Sequence, residues 1–389
     1  MRKVSKLDNK ILFVLGTRPE VIKLYSIIKE CVAQQIPFQI IHTGQHYDLT
    51  MSEIFFHELQ IPSPDFFLEV GSGMHGEQTG EMLRRLEALL NGNCPHCVLA
   101  VGDTNTVLAT ALVCTKLRIP FAHVEAGVRS FDMTMPEEIN RRVADSIATI
   151  CLAPTERALA NLELEGRGAH SFLVGDTLVE VCHPLATLAA RTSGILERHH
   201  LKPGQYAVLT LHRSENVDVP ERLTVIVQAL EELQFPIVYP MHPRAEKMLG
   251  QFGLLQRVKT SVITCQPLGY LDFLALLAQA RLVLTDSGGV QQEASILNVP
   301  CFTLRHNTEW IETVEAGKNR LVGTDTRRIV QIVSSVWDDE KIHQAMQAAE
   351  SPFLEGAAQR ILALICGEEN ERLLQIESSD FLRDGLPPR

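Results

Sequence analysis

Glu125, Arg129, Asp132, Glu137, Glu138, Arg141 and Arg142 place seven charged side chains in the twenty residues HVEAGVRSFDMTMPEEINRR, 123 to 142. The segment directly follows IPFA, which reads as the start of a buried strand. Part of the charge has an ordinary explanation. Thr134 with Glu137 fits a helix capping box, and Glu137–Arg141 and Glu138–Arg142 are spaced as i,i+4 ion pairs on the helix that follows. That account leaves over Glu125, at a strand end beside Gly127, and Arg129. It also leaves Asp103, which ends the neighbouring apolar run CVLAVGD. Carboxylates converging with arginines are how a site holds both an acid and a base.

A second kind of chemistry is written in DSGGV, 286 to 290, which opens a helix directly after LVLT. Backbone amides of Ser287, Gly288 and Gly289 at a helix N-terminus make an anion cradle suited to a diphosphate. Glu293, just over one turn along, could accept hydrogen bonds from ribose hydroxyls. A plain Gly-rich strand–helix turn with a solvated Glu fits the same residues. In the first βα turn, GTRPEVIKL carries Arg18 and Lys23, either as positive charge for an anionic ligand or as a helix start with a surface lysine. A GxGxxG fingerprint is missing from that turn, which argues against a Rossmann dehydrogenase. His212 follows an apolar strand and precedes Arg213, so exposure at the strand end suits it better than the core. There it could donate to a phosphate or a leaving oxygen. His46 and His242 occupy similar places, where a structural role fits as well as a functional one.

Cys94 and Cys97 form CPHC, but they follow a helix and an NGN turn, and Cys97 enters the strand CVLAV. A redox CxxC sits instead at a helix N-terminus after a strand, and no second CxxC is present for zinc. Ordinary thiols in a reducing compartment are expected.

The elements that must position these residues alternate along the chain. ILFVLG, FQIIHTG, CVLAVGD, FAHVEAG, TICLAPT and SFLVGD are candidate strands with helical patterns between them. After a long helical stretch from about Thr177 to His200 and a break at KPGQ, 202 to 205, the rhythm restarts. YAVLTLH, PIVYPMH, VITCQPL, LVLTDSGG, PCFTLR and RLVGTD follow. Continuous apolar strands separated by helices predict parallel sheets covered on both faces. Twelve such units predict an α/β protein of two doubly wound parallel-sheet domains facing a cleft. The expected boundaries are 1–180, 181–366 with residues 326–366 packed on the second domain, and a C-terminal helix and tail over 367–389. Nearly every strand ends in a polar cluster beside a Gly, as ligand sites at the carboxyl ends of parallel strands require.

Composition narrows the partners. The chain is 45% hydrophobic and 21% charged with net charge −11, which makes nucleic acid an unsuitable partner. No apolar run reaches the ~18 residues of a membrane span. The basic N-terminus leads into ILFVLGTRPE, which lacks a signal cleavage site, so a cytoplasmic protein is expected.

GTRPEVIKL, TGQHYD, GDTNTVLA, HVEAGVRS, MPEEINRR, LHRSEN, DSGGVQQEA and NTEWIETVEAG resemble, in order, the motif series of the UDP-N-acetylglucosamine 2-epimerase family, over residues 16 to about 323. The resemblance implies two Rossmann-like domains of the glycosyltransferase-B type. It implies inversion at C2 of UDP-GlcNAc to give UDP-ManNAc, with no redox cofactor, by elimination of UDP to a 2-acetamidoglucal and re-addition. With Arg18, Lys23, His212 and helix N-terminal amides to offset the diphosphate, no metal is expected. The resemblance also implies a homodimer that supplies surface-polysaccharide precursors. Carried over, Asp103, Glu125 and Glu137 match the family's catalytic acids and Arg141 its arginine, while His212 matches the histidine near the diphosphate. Arg18, Lys23, Ser287, Gly288, Gly289 and Glu293 match nucleotide contacts, His46 falls with the substrate-binding residues, and Phe273 sits where a side chain packs near uracil.

The chain also departs from the family pattern. Gln292 replaces the first Glu of GVQEEA, and Trp310 stands where Arg is frequent. Glu77 replaces the Arg of an Arg-Gln pair that helps bind an activating second UDP-GlcNAc in many bacterial members, so hyperbolic kinetics are expected. The loop between GVRS and MPEE is shorter than in many of those members. Three rivals share parts of the pattern: a hydrolysing epimerase releasing ManNAc and UDP, an epimerase of a modified substrate such as a diacetamido uronic acid, and a glycosyltransferase or UDP-sugar sensor of the same fold. The glycosyltransferase and the sensor have no use for the three gathered acids.

Overall fold

The computed structural model describes residues 7–45, 56, 59–367 and 374. The chain divides into two compact units, one of residues 1–177 together with 354–389, the other of residues 178–353. In the first unit the described residues form seven strands: β1 (Ile11–Leu15), β2 (Phe38–His42), β3 (Phe66–Phe67), β4 (Cys97–Val101), β5 (Phe121–Val124), β6 (Ile150–Ala153) and β7 (Ser171–Leu173). They pair in parallel in the order β3-β2-β1-β4-β5-β6-β7. The second unit holds β8 (Ala207–Thr210), β9 (Ile237–Pro240), β10 (Ile263–Cys265), β11 (Leu282–Thr285), β12 (Cys301–Thr303) and β13 (Asn319–Leu321). These are also parallel, in the order β10-β9-β8-β11-β12-β13.

The central strands are built for burial on both faces. ILFVL of β1 and CVLAV of β4 are buried at every position, the continuous apolar run that a helix-covered parallel strand needs. Burying one such Leu, Val or Phe side chain contributes about 1.5–3 kcal/mol. In the second unit Leu209, Tyr239, Leu284 and Phe302 from the sheet pack with Leu223, Ile226, Leu230 and Val333 from the helices Pro220–Glu232 and Thr326–Asp338. Among the described residues no helix is long and apolar enough to cross a membrane.

The helix that follows β5 breaks the apolar rule. Pro136–Ile147 buries Glu138, Asn140, Arg141, Ala144 and Asp145, so its inward stripe at 138, 141 and 145 is charged. Buried charges are tolerated only when paired and hydrogen-bonded. This helix is therefore held by ion pairs where its neighbours are held by apolar contact.

Twelve of the thirteen strands fall on the expected runs, β13 starting one residue before its own. The exception, β3, is a two-residue edge strand, too short to show periodicity. The helix Ala357–Cys366 differs from expectation in its placement. It packs on the helix Arg18–Gln34 of the first unit. His96 Nε2 donates to the Ile365 carbonyl at 2.8 Å and Arg360 Nε to the Val174 carbonyl at 2.7 Å. Its amphipathic pattern announced a buried face but not which sheet would cover it.

Candidate functional site

In each sheet the strand order reverses once, between β1 and β4 and between β8 and β11. The loops after the carboxyl ends of such neighbours leave in opposite directions and open a crevice for ligands. The polar clusters of the sequence fall at these two points.

At the first switch point β1 runs into Gly16 and Thr17 before the helix Arg18–Gln34. Glu20 folds back into this turn. Its carboxylate accepts from the amides of Gly16 and Thr17 at 2.7 and 2.8 Å, from Thr17 Oγ1 at 3.0 Å and from Thr104 Oγ1 at 2.5 Å. Burial still pushes its carboxyl up to about 7, against the pull of those donors. Lys23 Nζ reaches Glu125 Oε2 at 2.5 Å with both side chains largely buried. Burial alone would lower the lysine, but Glu125, and then Asp103 and Asp176, hold it above its usual range. Lys23 therefore lies against the carboxylates as a charged partner. Arg18 is half-buried at the first position of the same helix.

Asp103 stands beyond β4, its Oδ2 accepting from Arg141 at 2.5 Å and its carbonyl from Asn140 Nδ2 at 2.9 Å. Arg141 also binds Glu138 Oε2 at 3.0 Å. Glu138 in turn accepts from the amide and hydroxyl of Ser130 and from the amide of Phe131. Burial pushes Glu138 up, yet the Ser130 amide and Arg141 more than offset it and hold the carboxyl below its usual range. Glu137 is half-buried in the first turn of the same helix. The expected capping box does not form. Met135 is the N-cap, and Pro136 opens the helix with a fixed φ and no N–H to satisfy. Thr134 donates instead to Asp132, from its amide at 3.0 Å and its hydroxyl at 2.6 Å. The Glu138–Arg142 pair is present at 3.2 Å, while Arg141 is drawn to Asp103 and Glu138.

Glu125 adopts φ +64° and Gly127 φ +81° directly after β5. A left-handed conformation costs a non-glycine residue roughly 1–2 kcal/mol, and such strain collects where function needs a particular geometry. At Gly127 nothing larger fits, since a Cβ there would lie 2.1 Å from the Ala158 carbonyl oxygen.

At the second switch point the organiser is Asp286, whose side chain is wholly buried. It accepts from the backbone amides of His212 and Arg213 and from Asn216 Nδ2 at 3.1–3.2 Å, and from His212 Nδ1 at 3.0 Å. Burial opposes the charge, but His212 and these amides hold the carboxyl below its usual range. With Nδ1 committed, His212 keeps Nε2 for a ligand, and its side chain is 42% exposed. The sequence placed Asp286 in the right cluster without giving it a role.

The helix Gly288–Ile296 starts beside it, with Ser287 as N-cap accepting from the Val290 amide. The Ser287 amide donates to Thr285 Oγ1 at 2.9 Å, so of the three expected cradle amides this one is already engaged inside the turn. A Cβ on Gly288 would lie 2.2 Å from Glu309 Oε1, a carboxylate held by Arg305 at 2.7 Å and Arg213 at 3.2 Å. Glu293 is buried one turn along and hydrogen-bonded to the Tyr270 phenol, whose ionisation burial opposes most. Nothing in the sequence flagged Tyr270. Phe273 is partly exposed on the helix Tyr270–Ala278. His242 caps the helix Pro243–Gln251, accepting at Nδ1 from the Arg244 amide at 3.2 Å.

His46 lies outside the described residues. Glu77 is exposed on the helix His75–Leu90, while Gln78 beside it is buried and donates to the carbonyls of Gln45 and Gly71. Cys97 is the first residue of β4, where burial pushes its thiol up to about 12. Among the described residues no group of three His, Cys, Asp or Glu side chains is arranged to hold a metal ion.

A sequence profile described as UDP-N-acetylglucosamine 2-epimerase matches residues 29–366. The chain is 47% identical over 333 residues to a UDP-N-acetylglucosamine 2-epimerase of Methanocaldococcus jannaschii, covering 83% of this chain and 91% of that one. It is 43% identical over 352 residues to a UDP-2,3-diacetamido-2,3-dideoxy-D-glucuronate 2-epimerase of Pseudomonas aeruginosa, covering 87% and 97%. Its fold is similar to the crystal structure of the Methanocaldococcus jannaschii UDP-GlcNAc 2-epimerase in complex with UDP-GlcNAc and UDP, with a TM-score of 0.86 and 44% identity over 92% of this chain and 99% of that one.

Proposed function

The chain belongs to the UDP-N-acetylglucosamine 2-epimerase family, and from that membership we propose that it interconverts UDP-GlcNAc and UDP-ManNAc without redox chemistry. C2–H of the sugar is barely acidic, so its loss must accompany departure of a stabilised leaving group. A carboxylate takes the C2 proton, the C1–O bond breaks with its electron pair leaving on UDP, and a C1=C2 double bond forms in a 2-acetamidoglucal. A proton delivered to the other face of C2 and re-addition of the diphosphate oxygen to C1 complete the inversion.

The observation that carries this reading is the set of ion pairs at the first switch point, where Lys23 holds Glu125 and Arg141 holds Asp103, each at 2.5 Å. Both carboxylates are presented beside cations, so they can exchange protons without the cost of an isolated buried charge. Glu137 and Arg141 complete the acid–base set. His212, its ring oriented through Nδ1 by Asp286, would present Nε2 to the departing diphosphate and, as the imidazolium, donate from it. The first-turn amides of Gly288 and Gly289 would take diphosphate oxygens, with Arg18 adding positive charge, and Glu293 would accept from the ribose. Phe273 would pack against uracil. Family membership also supports a cytoplasmic homodimer that supplies surface-polysaccharide precursors.

The Pseudomonas aeruginosa relative supports a second reading, in which the same C2 inversion acts on a UDP-sugar bearing a second acetamido group and a uronate. Incubation with UDP-GlcNAc in deuterated water, followed by NMR, tests the first. Deuterium at C2 of both epimers with UDP attached is expected. Free ManNAc as the main product would assign a hydrolysing outcome. No exchange with UDP-GlcNAc, together with exchange in the diacetamido uronate, would favour the second reading.

A further inference from the structure

We propose that His123 is a positioning residue for this reaction: held by Asp145, it locks together the two strand ends that carry Asp103 and Glu125. The inference deepens the functional reading above and rests on it. His123 Nε2 lies 2.7 Å from the Gly102 carbonyl, the peptide next to Asp103, and Nδ1 lies 2.6 Å from Asp145 Oδ1. Asp145 Oδ2 accepts from the Gly127 amide at 3.0 Å, two residues past Glu125, and from Arg129 at 2.6 Å. One His–Asp pair thus ties the Gly102–Asp103 turn to the Glu125–Gly127 turn. The ring continues through Arg129, which donates to the Val128 carbonyl, and through Ser130 to Glu138, Arg141 and back to Asp103.

Both nitrogens of His123 are spent inward. A carbonyl only accepts, so Nε2 carries a proton. The Asp145 carboxylate, which already collects the Gly127 amide and the Arg129 guanidinium, is the acceptor that faces Nδ1 at 2.6 Å. The side chain is wholly buried and cannot reach a substrate, which excludes a catalytic role. What it can do is hold backbone. Gly102, Glu125 and Gly127 all have positive φ, and an unrestrained chain would relax out of Glu125's left-handed conformation first. A buried ionic set is also an expensive way to fill a core that apolar side chains would fill at least as stably. The geometry it imposes is the return on that cost.

The test separates positioning from mere stability. His123→Gln keeps one donor for Gly102 and removes the pair with Asp145, and Asp145→Asn keeps the shape and removes the charge. With UDP-GlcNAc, each folded variant should lose about 10- to 100-fold in kcat while KM stays within about twofold, since sub-ångström misplacement of a reacting group is that costly. The double variant, neutral at both places, should lose no more than the worse single one. A kcat within about twofold of wild type in both folded single variants overturns the proposal. Imidazole 15N spectra of the full-length wild-type protein give an activity-independent readout. The His123 Nε2 should carry a proton hydrogen-bonded to the Gly102 carbonyl, and a bare Nε2 overturns the proposal even if a variant does not fold. Wild-type deuterium exchange at C2, run in parallel, shows separately whether the assigned reaction fails.

Discussion

His123 in the first unit and His212 in the second each lean on a fully buried aspartate, at 2.6 Å and 3.0 Å, yet the two pairs are turned opposite ways. His123 is enclosed, with its second nitrogen on a backbone carbonyl, so the pair can only brace the strand ends around Asp103 and Glu125. His212 is 42% exposed, with its second nitrogen left for a ligand. The aspartate does the same thing in both, holding Nδ1 and so fixing where the ring points. The group that the other nitrogen meets decides whether the pair is scaffold or reagent. The contrast extends to the units. Around β4 and β5 carboxylates are paired with cations, while around β8 and β11 backbone amides and a histidine converge on one aspartate.

Four measurements would break or sharpen that contrast. Asp103→Asn should reduce kcat by about 10³-fold or more, as loss of a general acid–base group does, while calorimetric UDP affinity stays within about twofold. Loss of UDP binding instead would mean that the first unit is not the chemical half. Asp286→Asn should lower kcat by about 10²-fold, because an amide can favour the wrong His212 tautomer and no longer supports its charge. Normal turnover in that variant would remove His212 from the chemistry. Glu293→Ala should weaken UDP binding about tenfold or more, a charged hydrogen bond being worth about 1.5–3 kcal/mol, with a smaller effect on kcat at saturation. Exchanged phenotypes for Glu293 and Asp103 would reverse the assignment of the two units.

The smallest effect on turnover is expected at Glu20, where Glu20→Gln should leave kcat within about threefold, since the side chain braces a turn. Its signature is in stability. Folded Glu20 titrates at about 7 against 4.5 for an ordinary Glu, so the folded state binds this proton more tightly. The stabilisation is complete below the unfolded value and is lost as pH rises through about 7, on the order of 3 kcal/mol in all. Urea unfolding at about pH 5 and about pH 8 should show a shallower fall in stability for Glu20→Gln than for wild type. Equal slopes would mean that the carboxylate is ionised in its nest of donors.

Much of this was open to reading in the chain itself. The apolar runs marked twelve strands because a two-faced parallel strand must be continuously apolar, and the Gly-flanked polar clusters marked their carboxyl ends. Asp103 and Glu125 were picked out because charge after a core strand needs a reason, and Arg141 through the resemblance to the family. Other features were hidden. The 136–147 segment reads as a helix with i,i+4 ion pairs, and its burial of Glu138, Arg141 and Asp145 was hidden because spacing alone does not say which charges turn inward. Lys23 reads equally as a phosphate contact or a surface lysine, and the fold sets it against Glu125. Helix 357–366 announced a buried face without its partner.

The sequence by itself determined the element types, their order and the strand ends where function gathers, because propensity and periodicity act between residues at most a turn or a pleat apart. Which side chains meet at those ends was a matter for the tertiary structure alone. Lys23 and Glu125 are 102 residues apart, His212 and Asp286 are 74, and no local rule couples them. They come together because β1 sits beside β4, which pairs with β5, and because β8 pairs with β11. That strand order is settled by how whole layers bury their apolar faces, and burial then converts a nearby opposite charge from a weak surface attraction into a fixed partner.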